Sequence, residues 1–145
     1  MCGICGIYGL SNTTESTSLV RKMNDSIAHR GPDDEGFYVD EKVALGHRRL
    51  SIIDLSSAGH QPMQDASHEL ELIYNGEIYN FHEVKLLLND YAFKTKTDTE
   101  VIIAAYERWG ANCVNHFNGM FAFAIWDNFK KELFVARDRL GIKPL

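Results

Sequence analysis

The spacing of hydrophobic positions changes along the first half of this chain and predicts a strand, a helix and two further strands. Residues 4–10 form a short apolar run interrupted by glycines, which is typical of a strand. Leu19, Met23 and Ile27 recur every four residues after a Ser/Thr-rich start and predict one apolar helix face. The segments FYV and VALGHRRLSII, separated by a short charged turn, predict paired strands, and SSAGHQPM predicts a loop.

The middle of the chain predicts one more strand followed by two helices. ELELIYNG, residues 69–76, alternates with period two and places Leu70, Leu72 and Tyr74 on one side. An amphipathic helix is predicted over residues 81–89, and a stronger one begins near Thr99. In the second helix the residues that keep helical spacing are Val101, Ala105 and Trp109.

The last part, MFAFAIWDNFKKELFVARD, predicts a hairpin that turns at residues 127–131. Its large apolar side chains, Phe121, Phe123, Ile125 and Trp126, are predicted to belong to the core. Antiparallel strands with helices grouped between them favour an α+β fold over a parallel doubly wound sheet. The sequence contains neither a G-x-G-x-x-G pattern nor a P-loop, so it gives no support for a nucleotide site.

Length and composition narrow the class of protein. The chain has 145 residues, which predicts one domain spanning residues 1–145. Its three cysteines are too few for a disulfide framework, and no secretion signal is recognisable, so a reducing cytoplasm is expected. A net charge of −5 without a basic cluster argues against nucleic acid, and no apolar run is long enough to span a membrane. Small molecules or other proteins are the expected partners.

The second residue, Cys2, has several candidate roles. Cys2 and Cys5 fit the C-x-x-C spelling, but residues three apart in a strand point to opposite faces, and a redox pair normally caps a helix. A zinc site would need further ligands, and Cys113 is distant in sequence, so no metal site is predicted. A redox or metal protein nevertheless stays open as a less favoured hypothesis. A conventional Cys–His pair, with His47 or His29 as base, also stays open without a supporting local signature.

The remaining role for Cys2 is that of an N-terminal nucleophile. A small second residue permits removal of the initiator methionine, which would leave a thiol and a free α-amine on one residue. An α-amine has a pKa of about 7.7–8.0, so part of it is free base near neutral pH. Nucleophile and base would then come from the same residue, with no catalytic histidine.

Seven ordered motifs carry a family resemblance over essentially the whole chain: MCGICGIYG, AHRGPDDEG, GHRRLSIIDLSSAGHQPM, IYNGEIYN, TDTEVI, GMFAFAIWD and RDRLGIKPL. Together they resemble the glutaminase domain of glutamine-hydrolysing asparagine synthetases. That domain is a class II glutamine amidotransferase of the N-terminal nucleophile superfamily. The resemblance implies a four-layer αββα sandwich of two mainly antiparallel sheets covered by helices. It also implies hydrolysis of the L-glutamine side-chain amide to glutamate and ammonia through a thioester on Cys2.

The resemblance further implies an oxyanion hole made by the Asn75 side-chain amide and the Gly76 backbone N–H, which would stabilise the charge that develops on the amide oxygen. Taken alone, Asn-Gly after a strand is a common hairpin turn signal. The residues that follow, EIYNFHEVKLLL, have a helical pattern rather than that of a return strand, which favours the functional interpretation.

The glutamine-binding residues follow from the same resemblance. Arg49 matches the residue that binds the α-carboxylate, a role suited to a bidentate guanidinium. Asp98 matches the acceptor of the α-ammonium, although Asp98 or Thr99 could also cap the following helix. The remaining residues expected to line the glutamine pocket are Leu50, Ser51, Ile52, Ile53 and Glu77. In HRGPD, Arg30 and Asp33 are expected to shape the site rather than to take part in the chemistry.

The synthetases that the chain resembles continue into an ATP-using domain, so the sequence is interpreted as a glutaminase domain that ends before it. No cofactor is expected for glutamine hydrolysis, while ATP and Mg²⁺ are expected only for the absent synthetase domain. The expected partners are L-glutamine and a C-terminal synthetase domain or acceptor subunit, and homodimer formation is left open. An inactive glutamine-binding or assembly module of the same fold is the main alternative.

Overall fold

A computed structural model describes residues 1–9, 12–52 and 56–145. The helices and strands, in chain order, are β1 (Gly3–Tyr8), α1 (Thr13–Ser26), β2 (Asp34–Val39), β3 (Val43–Arg49), β4 (Met63–Gln64), β5 (Leu70–Ile78), α2 (Phe81–Leu87), α3 (Asp98–Trp109), β6 (Gly119–Asp127) and β7 (Glu132–Arg137). Short 3₁₀ turns follow α1, precede β4 and follow α3. The strand predicted at residues 4–10 is present as β1, and Leu10 lies outside the described residues.

The strands form two antiparallel sheets. Within the described ranges, the first sheet has the order β1-β3-β2 and the second the order β4-β5-β6-β7. In the first sheet Gly3 pairs with Arg48, and Asp34 pairs with Arg49. The start of β1 and the end of β3 therefore lie at the same end of this sheet. The predicted pairing of FYV with VALGHRRLSII is confirmed as β2 against β3, which ends at Arg49.

Two hydrophobic clusters hold the layers together. Val43 and Leu45 of the first sheet meet Ile73, Ala124 and Trp126 of the second, so the two sheets pack face to face. On the other face of the second sheet, α2 and α3 cover a larger cluster that contains the predicted side chains Leu70, Leu72 and Tyr74. Helix α1 packs on the outer face of the first sheet. The predicted α+β fold with αββα layers is confirmed.

The hairpin β6–β7 provides much of this core. Phe121, Phe123, Ile125 and Trp126 are all 2 % exposed or less, which confirms the prediction that they are core residues. Successive side chains of β6 point to opposite faces, so the strand serves both clusters. This explains why its apolar run is nearly continuous instead of alternating.

The predicted apolar face of α1 is wrong. Leu19 and Met23 are each 37 % exposed, whereas the side chains that face the sheet are Ser16, Val20 and Asn24. The helix lies close to the sheet at Gly46, where an added Cβ would stand 3.2 Å from a Val20 methyl and 3.3 Å from Asn24 Oδ1. Small and polar side chains fit this close approach, and larger ones are directed outward.

The hairpin turn that Asn75 and Gly76 could signal is absent, because β5 continues through them to Ile78 and pairs with β6 over its whole length; this agrees with the sequence analysis, which favoured another role for the pair. Two other local details differ from the structure. Helix α3 is capped by Thr97, which accepts a hydrogen bond from the N–H of Glu100, and not by Asp98 or Thr99. Helix α2 ends at Leu87, two residues before the predicted end. No helix in the described ranges is long and apolar enough to cross a bilayer.

Candidate active site

A cavity of about 150 Å³ lies where the start of the chain, the end of β3, the middle of β5 and the start of α3 meet. Eight of the predicted site residues line it: Cys2, Arg49, Leu50, Ile52, Asn75, Gly76, Glu77 and Asp98. Ser51 is not among the lining residues, because its backbone N–H bonds to Asp33 Oδ2 at 2.8 Å on the neighbouring surface. Ile53 lies outside the described residues. Four segments distant in sequence thus contribute to one cavity.

Cys2 is half-buried and precedes the first residue of β1. Its Sγ accepts a hydrogen bond from the backbone N–H of Leu50 at 3.4 Å and lies 3.7 Å from the Leu50 carbonyl oxygen. Arg30 Nε donates to the Cys2 carbonyl oxygen at 3.0 Å. The thiol of Cys2 is therefore held by Leu50, which follows β3, and its backbone is held by the guanidinium of Arg30. Both contacts lie at the edge of the first sheet.

The HRGPD segment also supports the arginine end of the cavity. The backbone N–H of Asp33 donates to the carbonyl oxygen of Arg49 at 3.0 Å, while the Asp33 carboxylate binds the Ser51 N–H. Together with the bond between Arg30 and Cys2, these contacts agree with the expected shaping role. Neither Arg30 nor Asp33 lines the cavity itself.

Cys5 does not share the surroundings of Cys2. Its Sγ lies 3.9 Å from both the Val20 carbonyl oxygen and Asn24 Oδ1, under helix α1. Burial raises the pKa of Cys5 to about 11, against an opposing effect of the Arg48 charge. The two sulfurs therefore contact different elements, which argues against a C-x-x-C redox pair. In the described part of the chain, no group of three or more His, Cys, Asp or Glu side chains is placed to hold a metal ion.

The two histidines considered as a base lie elsewhere. His47 is 0 % exposed, and its Nε2 lies 3.2 Å from the Tyr74 carbonyl oxygen, between the two sheets. Burial lowers the pKa of His47 to about 4, although the hydrogen bond to Tyr74 opposes the shift. His29 is exposed, and neither ring lines the cavity. The structure thus gives no support to a Cys–His pair.

Asn75 and Gly76 occupy consecutive positions of β5 beside Cys2. Asn75 is 2 % exposed, and both residues line the cavity. A Cβ at Gly76 would collide with the Met120 carbonyl oxygen and stand 2.7 Å from the Phe121 Cα, so no side chain fits here. The close approach of β6 therefore requires glycine, and the asparagine next to it lines the same cavity as Cys2.

Arg49 is 8 % exposed and reaches the cavity from the end of β3. Its Nη1 donates to the Ser56 carbonyl oxygen at 2.8 Å. Gly59 makes room for the guanidinium, because an added Cβ would stand 2.7 Å from Arg49 Cζ. Arg48, the neighbouring candidate, points away and pairs with Asp25 at 2.7 Å and Glu35 at 2.8 Å.

Asp98 is the first residue of α3 and is 4 % exposed. Its Oδ2 accepts hydrogen bonds from the Tyr74 hydroxyl at 2.7 Å and the Ile78 N–H at 3.0 Å. Burial raises the pKa of Asp98, and these two donors oppose the shift by stabilising the carboxylate. Glu77, by contrast, is exposed at the margin of the cavity. The cavity thus has a guanidinium and a buried carboxylate in addition to the thiol.

Further residues line the cavity to which the sequence assigned no role in the site, among them Gln61, Tyr74 and Lys143. Gln61 Oε1 accepts from the Tyr74 N–H at 2.7 Å, and Gln61 Nε2 donates to Thr99 Oγ1 at 3.5 Å, linking β5 to α3. Tyr74 was predicted only as a core residue. Its hydroxyl was the available signal, since a buried phenol needs a hydrogen-bond partner.

Comparison with known proteins identifies the same family as the sequence motifs. A family model described as glutamine amidotransferase domain matches residues 1–145. The chain is 45 % identical over 148 residues to asparagine synthetase [glutamine-hydrolyzing] 2 of Bacillus subtilis (strain 168), covering all of this chain and 20 % of that protein. It is 39 % identical over 149 residues to asparagine synthetase B [glutamine-hydrolyzing] of Escherichia coli (strain K12), covering all of this chain and 26 % of that protein. The chain therefore spans about a quarter or less of these two relatives.

The fold itself is similar to that of the glutamine phosphoribosylpyrophosphate (PRPP) amidotransferase from B. subtilis, solved with ADP and GMP. The TM-score is 0.82 over 99 % of this chain and 38 % of that chain, at 22 % identity. This likeness concerns the arrangement of strands and helices.

Proposed function

The chain belongs to the family of glutamine amidotransferase domains, and we propose that its cavity hydrolyses the side-chain amide of L-glutamine with Cys2 as the nucleophile. The observation that carries this proposal is the meeting of three kinds of group in one cavity. They are a thiol at the start of the chain, an asparagine–glycine pair in β5, and a buried arginine and aspartate for the two charges of an amino acid.

The chemistry requires that Met1 be removed, because the nitrogen of Cys2 is otherwise an amide and cannot accept a proton. The free α-amine then takes the proton of the thiol while Sγ attacks the amide carbon of glutamine. The carbon–sulfur bond forms, and the electron pair of the C=O bond moves to oxygen. The Asn75 side-chain amide and the Gly76 N–H are the donors that we assign to this oxyanion.

Collapse of the tetrahedral intermediate breaks the carbon–nitrogen bond. The α-ammonium of Cys2 returns its proton to the leaving nitrogen, so ammonia departs and a thioester remains. Water then attacks the thioester, with the α-amine as base, which releases glutamate and restores the thiol. No step of this cycle calls on a cofactor.

Two charged residues are assigned to the amino-acid end of glutamine. Arg49 is suited to the α-carboxylate, since its guanidinium offers paired donors and is already desolvated at 8 % exposure. Asp98 is suited to the α-ammonium, and Tyr74 holds its carboxylate in place. Leu50, Ile52 and Glu77 complete the assigned lining.

The test combines an intact-mass measurement of the N-terminus with a glutamate-release assay. Wild type and Cys5→Ala are expected to turn over glutamine, while Cys2→Ala is expected to be inactive with an unchanged melting temperature. Cys5 is the matched control because its sulfur lies under α1, outside the cavity. Turnover that survives in Cys2→Ala, or in protein that retains Met1, would refute the mechanism.

A second candidate is a glutamine-binding module without turnover. Retention of Met1 would favour it, because this residue lines the cavity and makes the nitrogen of Cys2 an amide. Glutamine binding measured by calorimetry in protein that retains Met1, without glutamate release, would support this role. An uncleaved N-terminal tag is expected to have the same effect as Met1.

For the longer protein, we propose that the ammonia is supplied to asparagine synthesis by an acceptor domain or subunit. The names of the two relatives support this, and ATP and Mg²⁺ are expected only in that acceptor reaction. Formation of asparagine from aspartate and glutamine by the full-length gene product is the corresponding assay. The reducing cytoplasm remains the predicted compartment, and homodimer formation remains open.

A further inference from the structure

Lys143 is a buried lysine that the proposed chemistry leaves without a role. It is 3 % exposed and lines the same cavity as Cys2, Asn75 and Asp98. Lysine is almost never fully buried unless its ammonium is paired, because desolvation of the charge is costly. Its position therefore requires an explanation.

The backbone of Lys143 is held firmly by the turn that follows β7. Its N–H donates to Asp138 Oδ2 at 3.0 Å, and its carbonyl oxygen accepts from Arg137 Nε at 2.6 Å. The Asp138 carboxylate also accepts the backbone N–H groups of Phe121, Leu140 and Ile142. Burial alone would raise the pKa of Asp138, but these donors outweigh it and lower the pKa to about 2. The Asp138 anion thus organises the turn and directs Lys143 inward.

The ammonium of Lys143 has a weak partner at the end of its side chain. Nζ donates to the thioether Sδ of Met1 at 2.8 Å. A thioether is neutral and a poor acceptor. Among the described residues, no carboxylate forms an ion pair with Lys143 within 4.0 Å. A positive charge therefore lies in the cavity beside the first residue of the chain without a counter-ion in contact.

Removal of Met1 changes what this charge faces. The Sδ acceptor is lost, and a new amine is created on the residue that follows. We propose that the Lys143 ammonium then acts as a positioning charge, which favours the neutral α-amine and a negatively charged sulfur on Cys2. This inference rests on the proposed function of Cys2 as nucleophile.

The physical reason is the sign of the interaction. A neighbouring cation disfavours protonation of an amine and favours loss of the thiol proton. The first effect raises the fraction of enzyme whose α-amine is free to accept a proton at neutral pH, and the second stabilises the sulfur anion that forms when Sγ gives up its proton. The effect is strengthened by the burial of Lys143, because charges interact more strongly away from bulk water.

Other charged groups face the same region and remain unchanged when Lys143 is replaced. Arg30 contacts the Cys2 carbonyl oxygen, and Arg49 lies at the end of β3. Glu77 and Asp98 approach from β5 and α3. The Tyr74 phenol stays neutral, since burial and then the Asp98 charge raise its pKa well above the ordinary value. The side chains of Arg137 and Asp138, in the turn that holds Lys143, form hydrogen bonds with backbone groups. A comparison of variants at position 143 therefore isolates one charge.

The experiment measures the pH profile of kcat/KM for glutamate release in wild type, Lys143→Met and Lys143→Arg, each shown by mass to lack Met1. In Lys143→Met the acid limb is expected to move up by about one pH unit, since interactions between neighbouring charges shift titrations by this order. With the α-amine pKa near 8 in the variant and about one unit lower in wild type, the loss is about fivefold at pH 7 and disappears near pH 9.5. Lys143→Arg is expected to restore most of the profile. Lys85→Met removes the same charge at a lysine outside the cavity and should leave the profile unmoved.

A second measurement separates this inference from the proposed function. The rate of Cys2 alkylation by iodoacetamide against pH, followed by mass spectrometry of the N-terminal peptide, reports the thiolate whether or not glutamine turns over. Lys143→Met should shift this profile upward as well. If both profiles coincide with wild type, or if activity falls equally at every pH in a folded variant, the inference is wrong. If alkylation shifts while wild type has no turnover, the proposed function fails and the role of the charge stands.

Discussion

Replacing Tyr74 by phenylalanine removes one oxygen atom from the amino-acid end of the cavity. The Tyr74 hydroxyl donates to Asp98 Oδ2 at 2.7 Å, and the Ile78 N–H donates to the same oxygen at 3.0 Å. Asp98 is 4 % exposed, so little solvent is available to replace the lost donor. The ring itself remains in the core, because phenylalanine has the same shape.

The magnitude follows from the charge on the acceptor. A hydrogen bond to an ionised group contributes about 1.5–3 kcal/mol, and about 1.4 kcal/mol corresponds to a tenfold change in binding. If the carboxylate binds the α-ammonium of glutamine, KM should rise roughly 10- to 100-fold. The Ile78 N–H still holds Oδ2, so we expect the lower part of this range. The value of kcat should change little, because Tyr74 contacts the binding carboxylate and not the thiol.

The assay is steady-state glutamate release at several pH values. Burial raises the pKa of Asp98, and loss of the Tyr74 donor should raise it further. Because the α-ammonium needs the ionised carboxylate, KM increases as pH falls, and this increase should begin at a higher pH in Tyr74→Phe. Tyr38→Phe is the matched control, since its hydroxyl donates to Asn128 Oδ1 at 3.0 Å outside the cavity.

Two results would refute this reasoning. An unchanged KM in Tyr74→Phe would show that the Asp98 carboxylate does not depend on the phenol. A fall in kcat with constant KM would place Tyr74 in the chemical step instead of in substrate binding.

Three further predictions concern other parts of the structure. Gly59→Ala places a Cβ 2.7 Å from Arg49 Cζ, so the guanidinium must move; KM for glutamine should rise about tenfold or more, and unchanged kinetics would contradict a role for Arg49 in binding. Asn75→Ala removes the assigned oxyanion donor and should lower kcat by about 10²–10³ with little change in KM, as measured in the same assay; a normal kcat would exclude this assignment. Burial raises the pKa of Glu71 to about 7, against a hydrogen bond from Gln64. The stabilising contribution of protonated Glu71 is complete below about pH 4.5 and is lost as pH rises through 7. In urea unfolding, the free energy of unfolding of Glu71→Gln should therefore gain about 2 kcal/mol relative to wild type between pH 5 and pH 8. Parallel pH dependences of the two proteins would contradict a buried, protonated Glu71.

Local patterns were informative where a strand has one buried face or a helix has a wide apolar one. The alternation of Leu70, Leu72 and Tyr74 correctly predicted the face of β5 that packs on the helices. The pattern failed at α1, where Leu19 and Met23 are exposed and Asn24 is buried. Hydrophobicity predicts which side chains avoid water, but the distance between a helix and a sheet also decides which side chains fit.

The Asn-Gly pair shows a second limit of local analysis. Asn75 and Gly76 carry a turn signal, yet β5 continues through them because β6 pairs with both residues. Pairing with a strand more than forty positions later outweighs the turn preference of the dipeptide. The glycine is needed instead for the close approach of Met120 and Phe121.

By itself the sequence predicted the α+β class, the order of strands and helices along the chain, and the N-terminal nucleophile hypothesis. These depend on residue type and on spacing within short segments, which the chain displays directly. Its seven motifs, through the family resemblance, also predicted half of the residues that line the cavity. Only the tertiary structure decided which faces touch and which groups become partners. It brought Tyr74 to Asp98, Gly59 to Arg49 and Lys143 to the start of the chain. Such contacts join segments that are from 10 to 142 positions apart, so they are set by how sheets and helices pack, and no local pattern records them.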